Sequence, residues 1–153
     1  MSDEKKLELW RISNFADLSG TGGVLAGARW HTKGQPVVYM AENPPGALLE
    51  TLVHLEIDVE DMPSKYQLLK VTMPSTVSQE ICPPLADGWQ RDEQATRAVG
   101  DNWLREQNSL LLKIPSAIVP FTSNYLFNPL HEDASLAEIE VGSFPLDERL
   151  LKL

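Results

Sequence analysis

Residues 35–50 read Gln35-Pro-Val-Val-Tyr-Met-Ala-Glu-Asn-Pro-Pro-Gly-Ala-Leu-Leu-Glu50. The short apolar run that ends at residue 41 has turn-forming residues on both sides, which is typical of a buried strand. Pro44 and Pro45 predict the start of a helix, because the first turn of a helix does not use its backbone N–H groups in intrahelical bonds. Apolar residues with helical spacing continue to about Ile57; they are Leu48, Leu49, Leu52, Val53 and Leu55. This stretch therefore predicts a strand over residues 35–41, a turn and a helix in direct succession.

The rest of the chain predicts short strands mixed with few helices. Strands are predicted at residues 7–13, 66–73, 110–113, 117–119 and 137–144. A second helix is predicted over residues 92–106, although Gly100 weakens it. The segment Ser19-Gly-Thr-Gly-Gly-Val24, the Pro-rich stretch 74–84 and a segment rich in Asn and Pro in the last third are predicted as loops. Because strands and helices do not alternate regularly, the order favours the α+β class over a doubly wound sheet.

Composition limits the class of protein. The chain has 153 residues, 42% of them hydrophobic, which predicts a single domain with its own core. The charged start of the chain and the lack of a long apolar stretch predict a cytoplasmic protein with no membrane contact. The single Cys82 fits a reducing compartment. A net charge of -9 repels polyanions, so direct binding of nucleic acid is not expected.

Several common catalytic motifs do not fit the sequence. The segment 19–24 lacks the Gly-Lys-Ser/Thr of a P-loop and fails the spacing of the dinucleotide fingerprint. There is no Gly-x-Ser-x-Gly elbow and no His-Glu-x-x-His helix. His54 and His131 have no recognisable set of co-ligands, so no metal site is expected. A hydrolase that uses Ser116 and His131 remains an alternative, but nothing in the sequence orients that histidine.

Five residues form a chemically coherent set although they are spread along the chain. They are Arg11, Arg29, Tyr39, Glu50 and Ser116. Guanidinium groups bind phosphates, a phenol ring can stack on a ligand, and a carboxylate can stabilise an oxocarbenium ion. The set therefore suits a ligand that contains a pyrophosphate and a cleavable glycosidic bond.

The order of several short motifs resembles the RES domain, a family named for its Arg, Glu and Ser. The motifs are Leu9-Trp-Arg-Ile-Ser, Gly-Thr-Gly-Gly, Gly27-Ala-Arg-Trp-His, Pro36-Val-Val-Tyr-Met-Ala, Ala47-Leu-Leu-Glu, Gly100-Asp-Asn-Trp-Leu, Leu111-Leu-Lys-Ile-Pro-Ser-Ala-Ile-Val-Pro and Asn124-Tyr-Leu-Phe-Asn-Pro-Leu-His. The resemblance runs from Leu9 to about His131. Ala28 stands where the family often has Gly, and Met40 stands where a smaller residue is common. Neither departure removes a proposed catalytic group.

The resemblance implies a toxin of a bacterial toxin–antitoxin pair with an ADP-ribosyltransferase-like fold, a small mixed or split β-sheet flanked by helices. Such a toxin degrades cellular NAD at the nicotinamide–ribose bond and arrests growth, or uses NAD to ADP-ribosylate a protein. It implies NAD as the substrate and no metal. The implied partner is an Xre-like helix-turn-helix antitoxin that blocks the active site, with a homodimer of the toxin inside a larger complex. A catalytically silent module that only binds this antitoxin remains a further alternative.

The resemblance also implies roles for individual residues. Glu50 would stabilise positive charge on the ribose, with Arg29 opposite it at the NAD phosphates or the ribose. Arg11 and Tyr39 would bind neighbouring parts of the ligand, and Ser116 would hydrogen-bond Glu50 or the ribose. Supporting contacts to NAD would come from His31 and Asn124.

Each of these residues also has a purely structural alternative. Arg11 or Arg29 could form a salt bridge, and Tyr39 could border the core. Glu50 could serve the helix dipole, and Ser116 could cap a turn.

Overall fold

The structure is a computed structural model that describes residues 5–54, 66–143 and 147–151. Seven strands lie within these residues: β1 (Lys6–Ser13), β2 (Val38–Ala41), β3 (Gln67–Pro74), β4 (Gln79–Ile81), β5 (Leu111–Pro115), β6 (Ser123–Phe127) and β7 (Glu138–Ser143). They form one sheet in the order β4-β5-β6-β2-β1-β3-β7. Neighbouring strands are antiparallel except β4 and β5, which are parallel. The sheet is therefore mixed.

The helices in the described residues are α1 (Thr21–Leu25), α2 (Pro44–His54) and α3 (Glu93–Glu106). Short 3-10 turns lie at Trp89–Arg91, Glu132–Leu136 and Glu148–Leu151. The side chain of Asp92 caps α3 by accepting the backbone N–H of Ala95. The predicted α+β class is confirmed. The predicted continuation of α2 to residue 57 lies outside the described residues.

The two faces of the sheet bury different clusters. One face carries Leu9, Val38, Met40, Val71, Met73, Leu111, Tyr125 and Phe127, packed with Ala134 and Ala137 from the turn that precedes β7. On the other face, Leu112, Ile114 and Leu126 pack with Trp103 and Leu104 of α3. On that same face, Ile12 and Ala41 pack with Ala47 of α2. Both longer helices therefore lie on one side of the sheet.

The sheet splits between β1 and β2. All eight residues of β1 pair with β3, and all four residues of β2 pair with β6. Between β1 and β2, within the described chain, Trp10↔Ala41 is the single registered pair. The two strands separate beyond that pair, so the residues after Trp10 and those before Ala41 border an opening in the sheet.

Some local predictions are wrong. Residues 117–119 are not a strand, because the backbone N–H groups of Ile118 and Val119 donate to Ser116 Oγ and close a turn. The segment after Ser19 contains the helix α1, whereas a loop was predicted. Gly20, with φ 77°, allows the turn into that helix. The predicted strand over residues 35–41 begins only at Val38.

Two strands were missed. The Asn- and Pro-rich segment contains β6, a central strand in which Asn124 is 8% exposed. The Pro-rich stretch contains the edge strand β4. A pattern search overlooks both, because β6 buries polar residues and β4 is three residues long.

Candidate active site

A cavity of about 370 Å³ lies where β1 and β2 separate. This volume is within the range of small-molecule pockets, about 300–1,000 Å³, near its lower end. The apolar lining includes Trp10, Ile12, Phe15, Val37, Met40 and Tyr66, and the polar lining includes Arg11, Ser13, Asn14, Glu50, Thr51 and Asn124. A mostly apolar cavity with a few convergent polar groups is typical of a ligand site.

Among the described residues, Ser116 and Asn124 are neutral donors that hold Glu50 in the cavity. Ser116 Oγ donates to Glu50 Oε1 at 2.9 Å, and Asn124 Nδ2 donates to the same oxygen at 2.8 Å. Ser116 follows β5, Asn124 lies in β6 and Glu50 lies in α2, so three elements fix one carboxylate. The hydrogen bond that the sequence analysis expected between Ser116 and Glu50 is therefore present. Ser116 Oγ also accepts the backbone N–H groups of Ile118 and Val119, so the same hydroxyl caps the turn after β5 and bonds Glu50.

Asn124 has a second feature that matters for binding. Its Oδ1 is buried and has no hydrogen-bond partner among the described residues. Buried acceptors without a donor are uncommon in proteins, because each costs about 1–3 kcal/mol. The amide of Asn124 therefore has one atom committed to Glu50 and one acceptor that a ligand N–H or O–H can satisfy.

Arg11 lines the cavity and is fixed in place. Its Nη2 donates to Ser13 Oγ at 2.8 Å and its Nη1 to the backbone oxygen of Asp17 at 3.1 Å. Burial lowers the pKa of Arg11 to about 10, and the attraction of Asp17 acts in the opposite direction. The guanidinium is therefore still protonated at neutral pH and places a positive charge at the cavity.

Arg29 lies elsewhere than the sequence analysis expected. It is not among the residues that line the cavity; its Nη1 donates to the backbone oxygen of Gln90 at 2.9 Å, and its Nη2 lies 3.9 Å from Glu93 Oε1. The described part of the chain therefore brings Arg11, and not Arg29, to the cavity that Glu50 lines. The assignment of Arg29 to the NAD phosphates stays a prediction.

Tyr39 and His31 line the cavity and bind each other. The hydroxyl of Tyr39 lies 2.7 Å from His31 Nδ1 and accepts the backbone N–H of Trp30 at 3.2 Å. Burial raises the pKa of Tyr39 above its usual range, although the Trp30 N–H favours the ionised form. The polar atoms of this pair are therefore engaged within the protein.

The helix α3 fixes the chain segment that precedes β2. Thr96 Oγ1 donates to the backbone oxygen of Arg29, Arg97 Nε donates to that of Ala28 at 3.0 Å, and Asp101 accepts the backbone N–H of Thr32 at 2.8 Å. These bonds anchor residues 28–32 from the side that carries α3.

The comparison with protein families agrees with the motifs that resemble the RES domain in the sequence. The model of the RES domain matches residues 8–147. The chain belongs to the RES domain family. The match includes every residue of the candidate site, from Trp10 at the end of the paired region to Asn124 in β6.

Similar proteins of this family are named as toxins. Toxin Res of Pseudomonas putida is 54% identical over 142 residues, which are 93% of this chain and 98% of that protein. The Prs ADP-ribosylating toxin of a Sphingobium species is 34% identical over 156 residues, or 94% of this chain and 96% of that protein. The chain is accordingly a RES-domain toxin.

A solved structure supports the fold. The crystal structure of the M. tuberculosis MbcT-MbcA toxin-antitoxin complex matches with a TM-score of 0.73, 16% identity, and coverage of 96% of this chain and 87% of that chain. At this identity the likeness concerns the architecture, and it confirms the predicted α+β fold.

The sequence analysis missed several residues that line the cavity of this RES domain. They are Ser13, Asn14, Phe15, Thr51 and Tyr66. Ser13 ends the strand β1 and Asn14 and Phe15 follow it directly, so their position next to Arg11 was the available signal. Thr51 and Tyr66 had none, because their place depends on how α2 and β3 pack around the split.

The described residues also bear on the hydrolase pair, a metal site and a membrane-spanning helix. His131 Nδ1 accepts the backbone N–H of Asp133, and Ser116 Oγ is bonded to Glu50, so the Ser116–His131 hydrolase pair is not formed. In the described part of the chain, no group of three or more His, Cys, Asp or Glu residues could hold a metal ion. Among the same residues, no helix has the length and apolar character needed to cross a bilayer.

Proposed function

We propose that this RES-domain toxin cleaves NAD at the bond between nicotinamide and ribose, and so depletes the NAD of the cytoplasm in which it acts. The observation that carries the proposal is the carboxylate of Glu50, held by Ser116 and Asn124 in the cavity that Arg11 also lines. A cavity that is lined by one fixed carboxylate and one guanidinium suits a substrate with a cationic nicotinamide ring and an anionic pyrophosphate.

The reaction needs little from the protein beyond charge and position. When the C1′–N bond breaks, its electron pair leaves with nicotinamide, and positive charge develops on C1′ and the ribose ring oxygen. A carboxylate near the ribose stabilises that charge. Water then bonds to C1′ and releases a proton, so that NAD and water give ADP-ribose, nicotinamide and a proton.

The apolar lining suits the nicotinamide ring. Phe15 and Tyr66 present aromatic rings to the cavity, and aromatic faces attract cations. Trp10 also lines the cavity, but Lys70 Nζ already lies 5.8 Å from the centre of its ring. We therefore assign the stacking position to Phe15 or Tyr66. Asn124 Oδ1 would accept a hydrogen bond from the ribose or the carboxamide.

Arg11 supplies the first prediction. We expect Arg11→Gln to raise the KM for NAD about tenfold or more, because a charge-assisted hydrogen bond to phosphate is worth about 1.5–3 kcal/mol. Steady-state kinetics of nicotinamide release measure the effect. Arg105→Gln, an exposed change on α3, is the matched control. An unchanged KM in Arg11→Gln would remove Arg11 from the phosphate site.

ADP-ribosylation of a protein is the second candidate. It is supported by the name of one relative, the Prs ADP-ribosylating toxin. The same first step serves both reactions, since only the group that attacks C1′ differs. The acceptor is therefore the point that separates them.

An assay with purified toxin tests the proposal. We expect equal amounts of nicotinamide and ADP-ribose from NAD without any protein acceptor. Nicotinamide release that requires an added protein, with ADP-ribose attached to it, would favour the transferase. Saturable binding of NAD without release of nicotinamide would reject both and favour a silent binding module.

We also propose an antitoxin as the partner, an Xre-like helix-turn-helix protein that covers the cavity, with the toxin as a homodimer within the complex. Support comes from the structural neighbour, which was crystallised as a toxin-antitoxin complex. Co-expression of the protein encoded next to the toxin gene should restore growth. It should also abolish nicotinamide release by the purified complex.

A further inference from the structure

The pair of His31 and Tyr39 has a defined arrangement of protons. His31 is 1% exposed, and its Nε2 lies 3.0 Å from the backbone oxygens of both Gly23 and Ala26. Carbonyl oxygens only accept hydrogen bonds, so Nε2 carries a proton. Nδ1 is the one acceptor within hydrogen-bond distance of the Tyr39 hydroxyl among the described residues, so the hydroxyl donates to it at 2.7 Å.

The Tyr39 hydroxyl therefore uses its hydrogen bonds within the protein. It donates its single proton to His31 and accepts the N–H of Trp30. Burial also raises the pKa of Tyr39, which keeps the phenol protonated. A group in this state neither gives a proton to a ligand nor takes one from it without breaking its bonds to the protein.

The pair of His31 and Tyr39 holds one wall of the cavity. Gly22, Gly23, Ala26, Gly27 and Ala28 line the cavity and have no side chain larger than a methyl group. A wall of this kind has few side-chain contacts of its own to keep it in place. His31 bonds two of its carbonyl oxygens, which lie on either side of the end of α1.

We propose that His31 and Tyr39 are positioning residues, which fix the backbone wall of residues 22–28 and thereby keep the cavity shaped for its ligand. Neither residue touches the reacting atoms with a polar group. This inference rests on the proposed function only in taking NAD as the ligand. It differs from the expectation that Tyr39 binds a part of the ligand.

Hydrogen exchange of the free toxin tests the wall without any use of NAD. We expect His31→Leu to speed amide exchange in residues 22–28 about tenfold, because the hydrogen bonds to the backbone oxygens of Gly23 and Ala26 are lost. His31→Gln should restore most of the protection, since its amide N–H can donate to the same carbonyl oxygens. Unchanged exchange in His31→Leu would overturn the positioning role.

Kinetics give the second arm. We expect Tyr39→Phe to raise the KM for NAD about tenfold, with kcat within about twofold. Because the two residues act as one unit, adding Tyr39→Phe to the His31→Leu variant should change its KM little further. Tyr125→Phe, another buried tyrosine on the strand next to β2, is the matched control. A fall of kcat of about 100-fold in Tyr39→Phe, with a changed pH profile, would show that the hydroxyl acts on the ligand. If the wild type does not consume NAD, the exchange arm still decides the inference.

Discussion

Replacing Gly100 with alanine is expected to lower the free energy of unfolding by about 3 kcal/mol or more, although alanine is the better helix former by about 1 kcal/mol. A Cβ at this position would lie 1.6 Å from the backbone oxygen of Trp30 and 2.7 Å from its carbonyl carbon. Both are backbone atoms, so no side-chain rotation relieves the overlap. The helix α3 would have to move away from residues 28–32, which Thr96, Arg97 and Asp101 hold.

Urea denaturation followed by circular dichroism measures this effect. Asn102→Ala is the matched control, because Asn102 is exposed on the same helix and its change should stay within about 0.5 kcal/mol. A Gly100→Ala protein with the midpoint of the control would mean that the chain before β2 has room to shift. The contact between α3 and Trp30 would then not determine the position of residues 28–32.

The same glycine shows what the sequence could and could not predict. In the sequence, Gly100 only weakens a predicted helix, because propensity is a local property. The helix forms nevertheless, with its cap at Asp92 and its apolar side, Trp103 and Leu104, in the core. Glycine is needed because of Trp30, which lies 70 positions earlier, and a local sequence pattern does not show a contact between residues so far apart.

Long hydrophobic patterns in the sequence correctly predicted the strand and the helix that they cover. β1 and α3 fall within one residue of their predicted bounds, because their patterns are long. α1 was predicted as a loop, since a glycine-rich stretch has little helical propensity. It is held by His31, which lies outside the helix. β6 was missed because Asn124 and Asn128 are buried polar residues in and after a central strand.

The candidate site was predicted in its composition but not in its arrangement. The expected bond between Glu50 and Ser116 is present, and Arg11 lines the same cavity as Glu50, whereas Arg29 does not. The reason is the split of the sheet. Arg11 lies just beyond the one registered pair of β1 with β2, where the strands separate, and Arg29 contacts Gln90 and Glu93 at the start of α3. The position of a split depends on strand registers, which the sequence does not display.

Replacing Glu50 with glutamine is expected to reduce NAD cleavage by about 100-fold or more, the scale of losing one preorganised electrostatic group at a transition state. The change is well matched to the site. Ser116 Oγ and Asn124 Nδ2 both donate to Oε1, and the amide oxygen of glutamine can accept both bonds. The shape of the side chain and these two hydrogen bonds are therefore kept while the negative charge is removed.

The measurement is the NAD content of bacteria after brief induction of each protein without antitoxin, followed by nicotinamide release by the purified proteins. Wild type and the control Glu106→Gln, an exposed change at the end of α3, should both collapse the NAD pool. Glu50→Gln should leave it intact at the same protein level. Because the amide oxygen can accept the bonds of Ser116 and Asn124, the loss of these two bonds would not explain a loss of activity in a folded Glu50→Gln protein. If Glu50→Gln depletes NAD as fast as wild type, a carboxylate at this position does not stabilise the positive charge that develops on the ribose, and the proposed reaction at this cavity is wrong.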